Sequence, residues 1–150
     1  MSSFQLLLVA GTHGNEINAP WIFDQWDRQP SLIDGNGLNI NKVIGNPFAR
    51  GKCQRYLDID LNRSFSKELL SNFANEDLEI CRARELISQY GSAGKNPSQI
   101  VIDFHSTTAS MGSSIVIYGR RPLDLAIVSL IQKRLQIPIY LHECDDSQTG

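Results

Sequence analysis

Residues 5–16 read QLLLVAGTHGNE, and the change of character inside that stretch decides the fold. Gln5 to Ala10 is a short apolar run closed by Gly11, the pattern of a buried strand. Beyond the glycine, Asn15 and Glu16 open a segment with Ile17, Trp21 and Phe23 at near-helical spacing. The unit is strand, loop, helix, and Thr12, His13, Asn15 and Glu16 fall at the turn between them.

The same alternation continues outward. Leu38 to Ile44 mixes Leu38, Ile40 and Val43 with polar residues and ends at Asn46-Pro47, which predicts a second strand. Pro47 to Phe65 holds no periodicity. This polar stretch, with Arg50, Lys52, Arg55 and Arg63, exceeds the roughly 12–15 residues of ordinary structural loops, so it is a candidate functional loop. A helix is predicted from about Asn75 to Tyr90, with Leu78, Cys81, Leu86 and Tyr90 near a 3–4 repeat and Gly91 as its C-cap. Ile100 to Phe104 and Ser113 to Tyr118 read as strands, Pro122 to Leu135 as a helix, and Ile137 to Leu141 as a final strand. This order predicts an α/β fold: a mixed, largely parallel sheet flanked by helices, in one domain spanning residues 1–150. Trp21, Phe23 and Trp26 on the first helix are expected in the core.

Length and charge narrow the function classes. A chain of 150 residues buries roughly 68–70% of its unfolded surface on folding, enough for one sizeable core. The net charge of −2 offers no field of the kind that gathers nucleic acid or anionic lipid, so neither is expected as a partner. The longest apolar run, Leu6 to Ala10, is too short to cross a bilayer and lacks the flanks of a signal peptide, which predicts a cytoplasmic protein. Cys53, Cys81 and Cys144 are odd in number and widely spaced, fitting reduced thiols. Small molecules remain the expected partners.

In open α/β sheets ligands bind beyond the carboxyl ends of strands. Two polar clusters occupy such positions: Gly11-Thr12-His13-Gly14-Asn15-Glu16 and Asp103-Phe104-His105-Ser106-Thr107-Thr108. His13 and Glu16, three apart, with His105 from a later strand form a His₂Glu set that leaves zinc one open position. Hydrogen-bonded rim residues are the other reading of these side chains. Asp103, two before His105, is placed to contact its ring, and His142, near the end of the last strand, is read as non-ligating. A third cluster lies in the long loop. Arg55, Asn62 and Arg63 suit the grip of an acidic substrate, while pairing with Asp58 and Asp60 on a solvated surface is the alternative.

The segments GTHGNE (11–16), NPFA (46–49), CQRYLDIDLNRSF (53–65) and DFHSTT (103–108), in that order and spacing, resemble the aspartoacylase and succinylglutamate desuccinylase family of zinc amidohydrolases. The resemblance runs along essentially the whole chain, and DLNR followed by the DFHSTT segment is more similar to the aspartoacylase branch. It implies a zinc-carboxypeptidase-like fold and one zinc ion per chain held by His13, Glu16 and His105. It further implies substrate contacts from Arg55, Asn62 and Arg63, with Arg55 as the catalytic residue facing the oxyanion. The implied reaction is hydrolysis of a small acidic N-acyl amino acid, N-acetyl-L-aspartate in aspartoacylases.

One family feature is missing. The family's general-base glutamate lies in a motif like G-[IL]-E-[VI]-G-P, which does not occur in these 150 residues, and family chains are about twice as long, with a C-terminal β-rich domain. The chain is therefore expected to be the N-terminal part of a longer hydrolase; Glu143, the acidic residue nearest the end of the last strand, precedes the expected position, lies in no matching motif and is not read as the base. An exposed sheet edge after Leu141 would promote association, so a homo-oligomer is among the expectations. A desuccinylase or carboxypeptidase specificity, and a non-catalytic zinc-binding module, are the alternatives.

Overall fold

The computed structural model describes residues 4–107 and 109–142, which fall into two compact units, residues 1–107 and 108–150. The first carries three strands, β1 (Gln5–Ala10), β2 (Asn39–Ile44) and β3 (Ile100–Phe104), and four helices, α1 (Asn18–Arg28), α2 (Pro47–Gly51), α3 (Lys67–Ser71) and α4 (Leu78–Tyr90). The sheet order is β2-β1-β3 with both pairings parallel, Ala10 lying opposite Ile44 on one side and Phe104 on the other. A strand flanked on both edges must be apolar on both faces, and LLVA at 7–10 is buried throughout.

Leu8 and Ala10 of β1 pack with Ala19 and Phe23 of α1 to form the core, and Ile40, Ile44, Ile102 and Phe104 close around them. The Phe23 ring stacks on Trp26 at 5.6 Å and meets Phe104 edge-on at 6.2 Å. Trp21, expected in this core, is instead 62% exposed. The reason is helical pitch. Trp26 lies three residues from Phe23 and shares its face, whereas Trp21 lies two residues away, about 200° around the helix.

A similar correction applies to α4. Leu78 and Cys81 of the expected apolar stripe are exposed, and the buried residues are Glu79, Ile80 and Ala83. Polar side chains do much of this helix's work by binding backbone groups elsewhere. Arg82 donates to the carbonyls of Ile44 and Gly45 at the end of β2, both at 2.8 Å. Arg84 donates to those of Leu69, Leu70, Asn72 and Asn75 and lies over the Phe73 ring. Loop backbone that folds inward must find partners, and α4 supplies them.

The long polar stretch is not structureless. Asn46 caps α2 by accepting the Ala49 N–H at 3.0 Å, and Asp60 caps a single 3₁₀ turn, Leu61–Arg63, by accepting the Asn62 N–H at 3.0 Å. Gly14 lets α2 approach the first turn: a Cβ there would lie 2.1 Å from the Ala49 carbonyl carbon.

The second unit pairs β4 (Ile115–Tyr118) and β5 (Ile139–His142) in parallel through α5 (Pro122–Leu135). Ile117 is buried, while Val116, Tyr118 and Tyr140 are at least half exposed. Every strand pairing among the described residues is parallel, as the α/β alternation predicts. Among the described residues no helix is long and apolar enough to cross a membrane.

Candidate active site

β2 and β3 lie on opposite sides of β1, so the connections leaving β1 and β2 run in opposite directions across the sheet. In open α/β sheets such a reversal marks the region beyond the carboxyl ends of β1 and β3 as the place for a ligand. His13 and Glu16 follow β1 into it, and His105 follows β3 directly. Gly11, with φ +66°, turns the chain out of the strand in a conformation glycine adopts freely.

One ring nitrogen from each of His13 and His105 and a Glu16 carboxylate oxygen lie within 4.8 Å of one another. The His13 Nδ1 to Glu16 Oε1 distance is 2.6 Å, and His105 Nδ1 is 3.3 Å from Glu16 Oε2. The outer nitrogens are also occupied. His13 Nε2 is 3.1 Å from Asp60 Oδ1, and His105 Nε2 is 2.8 Å from Asp103 Oδ2. Asp103 is itself steadied by the buried Thr12 hydroxyl, which donates to both its oxygens at 2.9 Å. The backbone N–H of Ser106 donates to Glu16 Oε2 at 2.7 Å, orienting the carboxylate.

Each imidazole therefore faces a carboxylate at both nitrogens. Such a pair of contacts is satisfied either by a proton on each ring nitrogen or, with the proton on Nε2 facing the outer carboxylate, by a cation shared between Nδ1 and Glu16. Two Nδ1 atoms and one carboxylate oxygen are the donors that zinc takes in open catalytic sites, at about 2.0–2.2 Å each. The residues fit the ion. The hydrogen bond to Asp103, with the charges of Asp103 and Glu16, outweighs burial and holds the His105 imidazole above its ordinary pKa. Burial pushes the Asp60 carboxyl up, but His13, the Asn62 N–H and Arg55 outweigh it and hold it below its ordinary value.

Asp60 joins the long loop to this corner. Its other oxygen accepts from Arg55 Nη2 at 3.2 Å, so one carboxylate touches both His13 and Arg55. Asn62 Nδ2 lies 3.5 Å from His13 Nε2. The Gly14 N–H donates to the Arg55 carbonyl at 3.1 Å, a second tie between turn and loop. Arg63 is exposed in the same 3₁₀ turn. Asp58 does not pair with an arginine; it accepts the Leu78 N–H at 2.8 Å. His142 lies in the second unit against the Tyr118 ring, and Glu143 lies outside the described residues.

Two residues escaped the sequence reading. Asp60 was legible only as a partner for surface arginines, although its place in the DLNR run was a signal. Glu79 had no signal at all: an acid in the first turn of a helix is ordinary, and only the fold reveals that it is fully buried.

The sequence profile of the succinylglutamate desuccinylase/aspartoacylase catalytic domain matches residues 3–149. A probable aspartoacylase of Prochlorococcus marinus is 63% identical over 150 residues, all of this chain and 49% of the relative. A probable aspartoacylase of Synechococcus is 55% identical over the same length, again 49% of the relative. The crystal structure of murine aminoacylase 3 superimposes with a TM-score of 0.79 at 28% identity, over 92% of this chain and 47% of that one. The chain spans about half the length of the relatives it matches. It belongs to the succinylglutamate desuccinylase/aspartoacylase family.

Proposed function

Starting from that family membership, we propose that the chain carries the N-terminal, zinc-binding part of the catalytic domain of an enzyme that hydrolyses N-acyl amino acids. The substrate implied by the resemblance to the aspartoacylase branch is N-acetyl-L-aspartate, cleaved to acetate and L-aspartate, and the basic residues of the loop suit its acidity. The observation that carries this reading is the convergence of His13, Glu16 and His105 at the strand ends, with Asp60 linking His13 to Arg55.

His13, Glu16 and His105 would hold one zinc ion, whose chemistry is polarisation of a carbonyl and lowering of a water pKa toward about 7. Hydrolysis adds the hydroxyl of water to the acyl carbon and its proton to the departing amine. Arg55, half exposed and steered by Asp60, presents a permanent positive charge to the oxyanion that develops on the acyl oxygen. Asn62 and Arg63, in one 3₁₀ turn, hold the carboxylates of the amino acid, Arg63 through paired N–H groups. Asp60 and Asp103, each accepting from an Nε2 proton, would turn the two Nδ1 lone pairs toward the metal. The free thiols Cys53 and Cys81 suit a reducing cytoplasm.

The test is a substrate panel on the zinc-loaded longer enzyme of which this chain is the N-terminal part: N-acetylaspartate, N-succinylglutamate, an N-acetylated aromatic amino acid and a peptide. Turnover of N-acetylaspartate, lost with chelator and restored by zinc, is the expected result. Cleavage of only the last two substrates would overturn the choice of an acidic substrate, and zinc content with no cleavage of any would overturn the hydrolase.

A further inference from the structure

The loop that carries Arg55, Asp60, Asn62 and Arg63 has exposed charged side chains, yet its backbone between them is tightly held. Glu79 is the holder. Its side chain is fully buried at the start of α4, and its two oxygens accept four hydrogen bonds. Oε1 takes the Leu57 N–H at 2.7 Å and Asn46 Nδ2 at 2.9 Å; Oε2 takes the Asp58 N–H at 3.0 Å and the Ile59 N–H at 3.2 Å. Three consecutive loop amides thus converge on one carboxylate. The attachment is reciprocal, because Asp58 accepts the Leu78 N–H of the same helix end at 2.8 Å. Asp77, at the N-cap position, makes no side-chain cap bond, so the loop itself caps α4.

We propose that Glu79 is a positioning residue for substrate binding: through the Leu57, Asp58 and Ile59 amides it sets where Arg55 and the Asn62–Arg63 turn stand relative to His13. The inference rests on the proposed function for the roles of those side chains. Several observations favour positioning over mere stability. The amides held are bracketed by the proposed substrate contacts, two residues after Arg55 and three before Asn62. Asp60, which links His13 and Arg55, follows the last held amide directly. Burial raises the carboxyl's pKa, but the bonds from Leu57, Asn46, Asp58 and Ile59 outweigh it, so the acceptor stays ionised and keeps all four donors. A glutamine cannot replace it, since its NH₂ would face two N–H groups.

The experiment compares the longer enzyme that contains this chain, zinc-loaded, with its Glu79→Gln and Asp58→Ala variants. The first breaks the clasp from the buried side; the second, at an exposed residue, loosens it without disturbing the interior. Zinc stoichiometry is expected to be retained in both, because neither residue touches His13, Glu16 or His105. For N-acetylaspartate, KM is expected to rise about tenfold to a hundredfold in Glu79→Gln, the scale on which a displacement of about 1 Å acts, and by a smaller factor in Asp58→Ala. Amide exchange at residues 57–62 should quicken in both. A purely structural role predicts instead a smaller active fraction with KM unchanged, and that outcome in both variants would overturn the inference. If Glu79→Gln does not fold, the KM of Asp58→Ala decides. If the parent enzyme hydrolyses no acyl amino acid, the proposed function fails by itself, and unaltered exchange at 57–62 in the variants would then also remove Glu79 as the holder of the loop.

Discussion

The strand-end corner and the long loop solve the problem of placing a polar side chain in opposite ways. His13 and Glu16 are buried, and with His105 they leave strands whose positions are set by the sheet. Arg55, Asn62 and Arg63 are exposed on a stretch with one short helix and one 3₁₀ turn, and the backbone amides between Arg55 and Asn62 bond a carboxylate twenty or more residues away in the chain. A sheet fixes the residues just beyond its strands through ladder hydrogen bonds and apolar packing, so the corner is rigid whatever fills it. The loop has no ladder. It must borrow acceptors from α4, and its geometry is only as firm as those few bonds.

The largest effect is expected where the corner itself is cut. His13→Ala removes one of three metal donors, and zinc content after dialysis and turnover should both fall to background while the fold of the first unit persists by circular dichroism. Retention of stoichiometric zinc would break the comparison at its root. Arg55→Ala comes next. If its charge faces the oxyanion, kcat should drop by about 10²–10³ with zinc unaffected, and a change confined to KM would instead move Arg55 into the binding group.

Asp60→Asn and Asp103→Asn sharpen the contrast, because both carboxylates bond an imidazole but only Asp60 also holds Arg55. Each should weaken zinc affinity by about 10–100-fold, measured by competition with a chelator. Asp60→Asn should also raise KM in the zinc-saturated enzyme, whereas Asp103→Asn should not. The smallest effect concerns pH. Glu79 in the folded chain titrates below its ordinary 4.5, so its ionised form adds stability that is fully present above that value. The contribution fades as pH falls through the folded-state pKa. The gap in Tm between the parent chain and Glu79→Gln should accordingly be widest near neutral pH and narrow below about pH 4.5.

How much could be read in advance differs between the regions for the same reason. β1, β3 and α5 follow from local pattern, an apolar run with its flanking breaker or Pro122 at a helix start, and their observed bounds match the expected ones closely. His13, Glu16 and His105 were legible because strand ends in an α/β sheet are where chemistry collects, and residue type did the rest. Trp21 was misjudged because near-helical spacing was taken for a shared face, and two residues of helix turn a side chain to the other side. The α4 stripe was misjudged because the face that packs is the neighbouring one with Glu79, Ile80 and Ala83, selected by the polar bonds of Glu79 and Arg82 rather than by apolarity. The short helix α3 passed unnoticed, being held by Arg84 from α4 rather than by its own periodicity.

By itself the sequence determined the alternation of strand and helix, the parallel sheet, the family, and which side chains are chemically able to bind a metal or a carboxylate, since all of these depend on residue type and spacing along the chain. Only the tertiary structure decided that Asp60 stands between His13 and Arg55 and that Glu79 lies buried under the loop amides. Those facts depend on distances between residues far apart in sequence. A buried carboxylate that gathers four donors reads, letter for letter, like one that faces water.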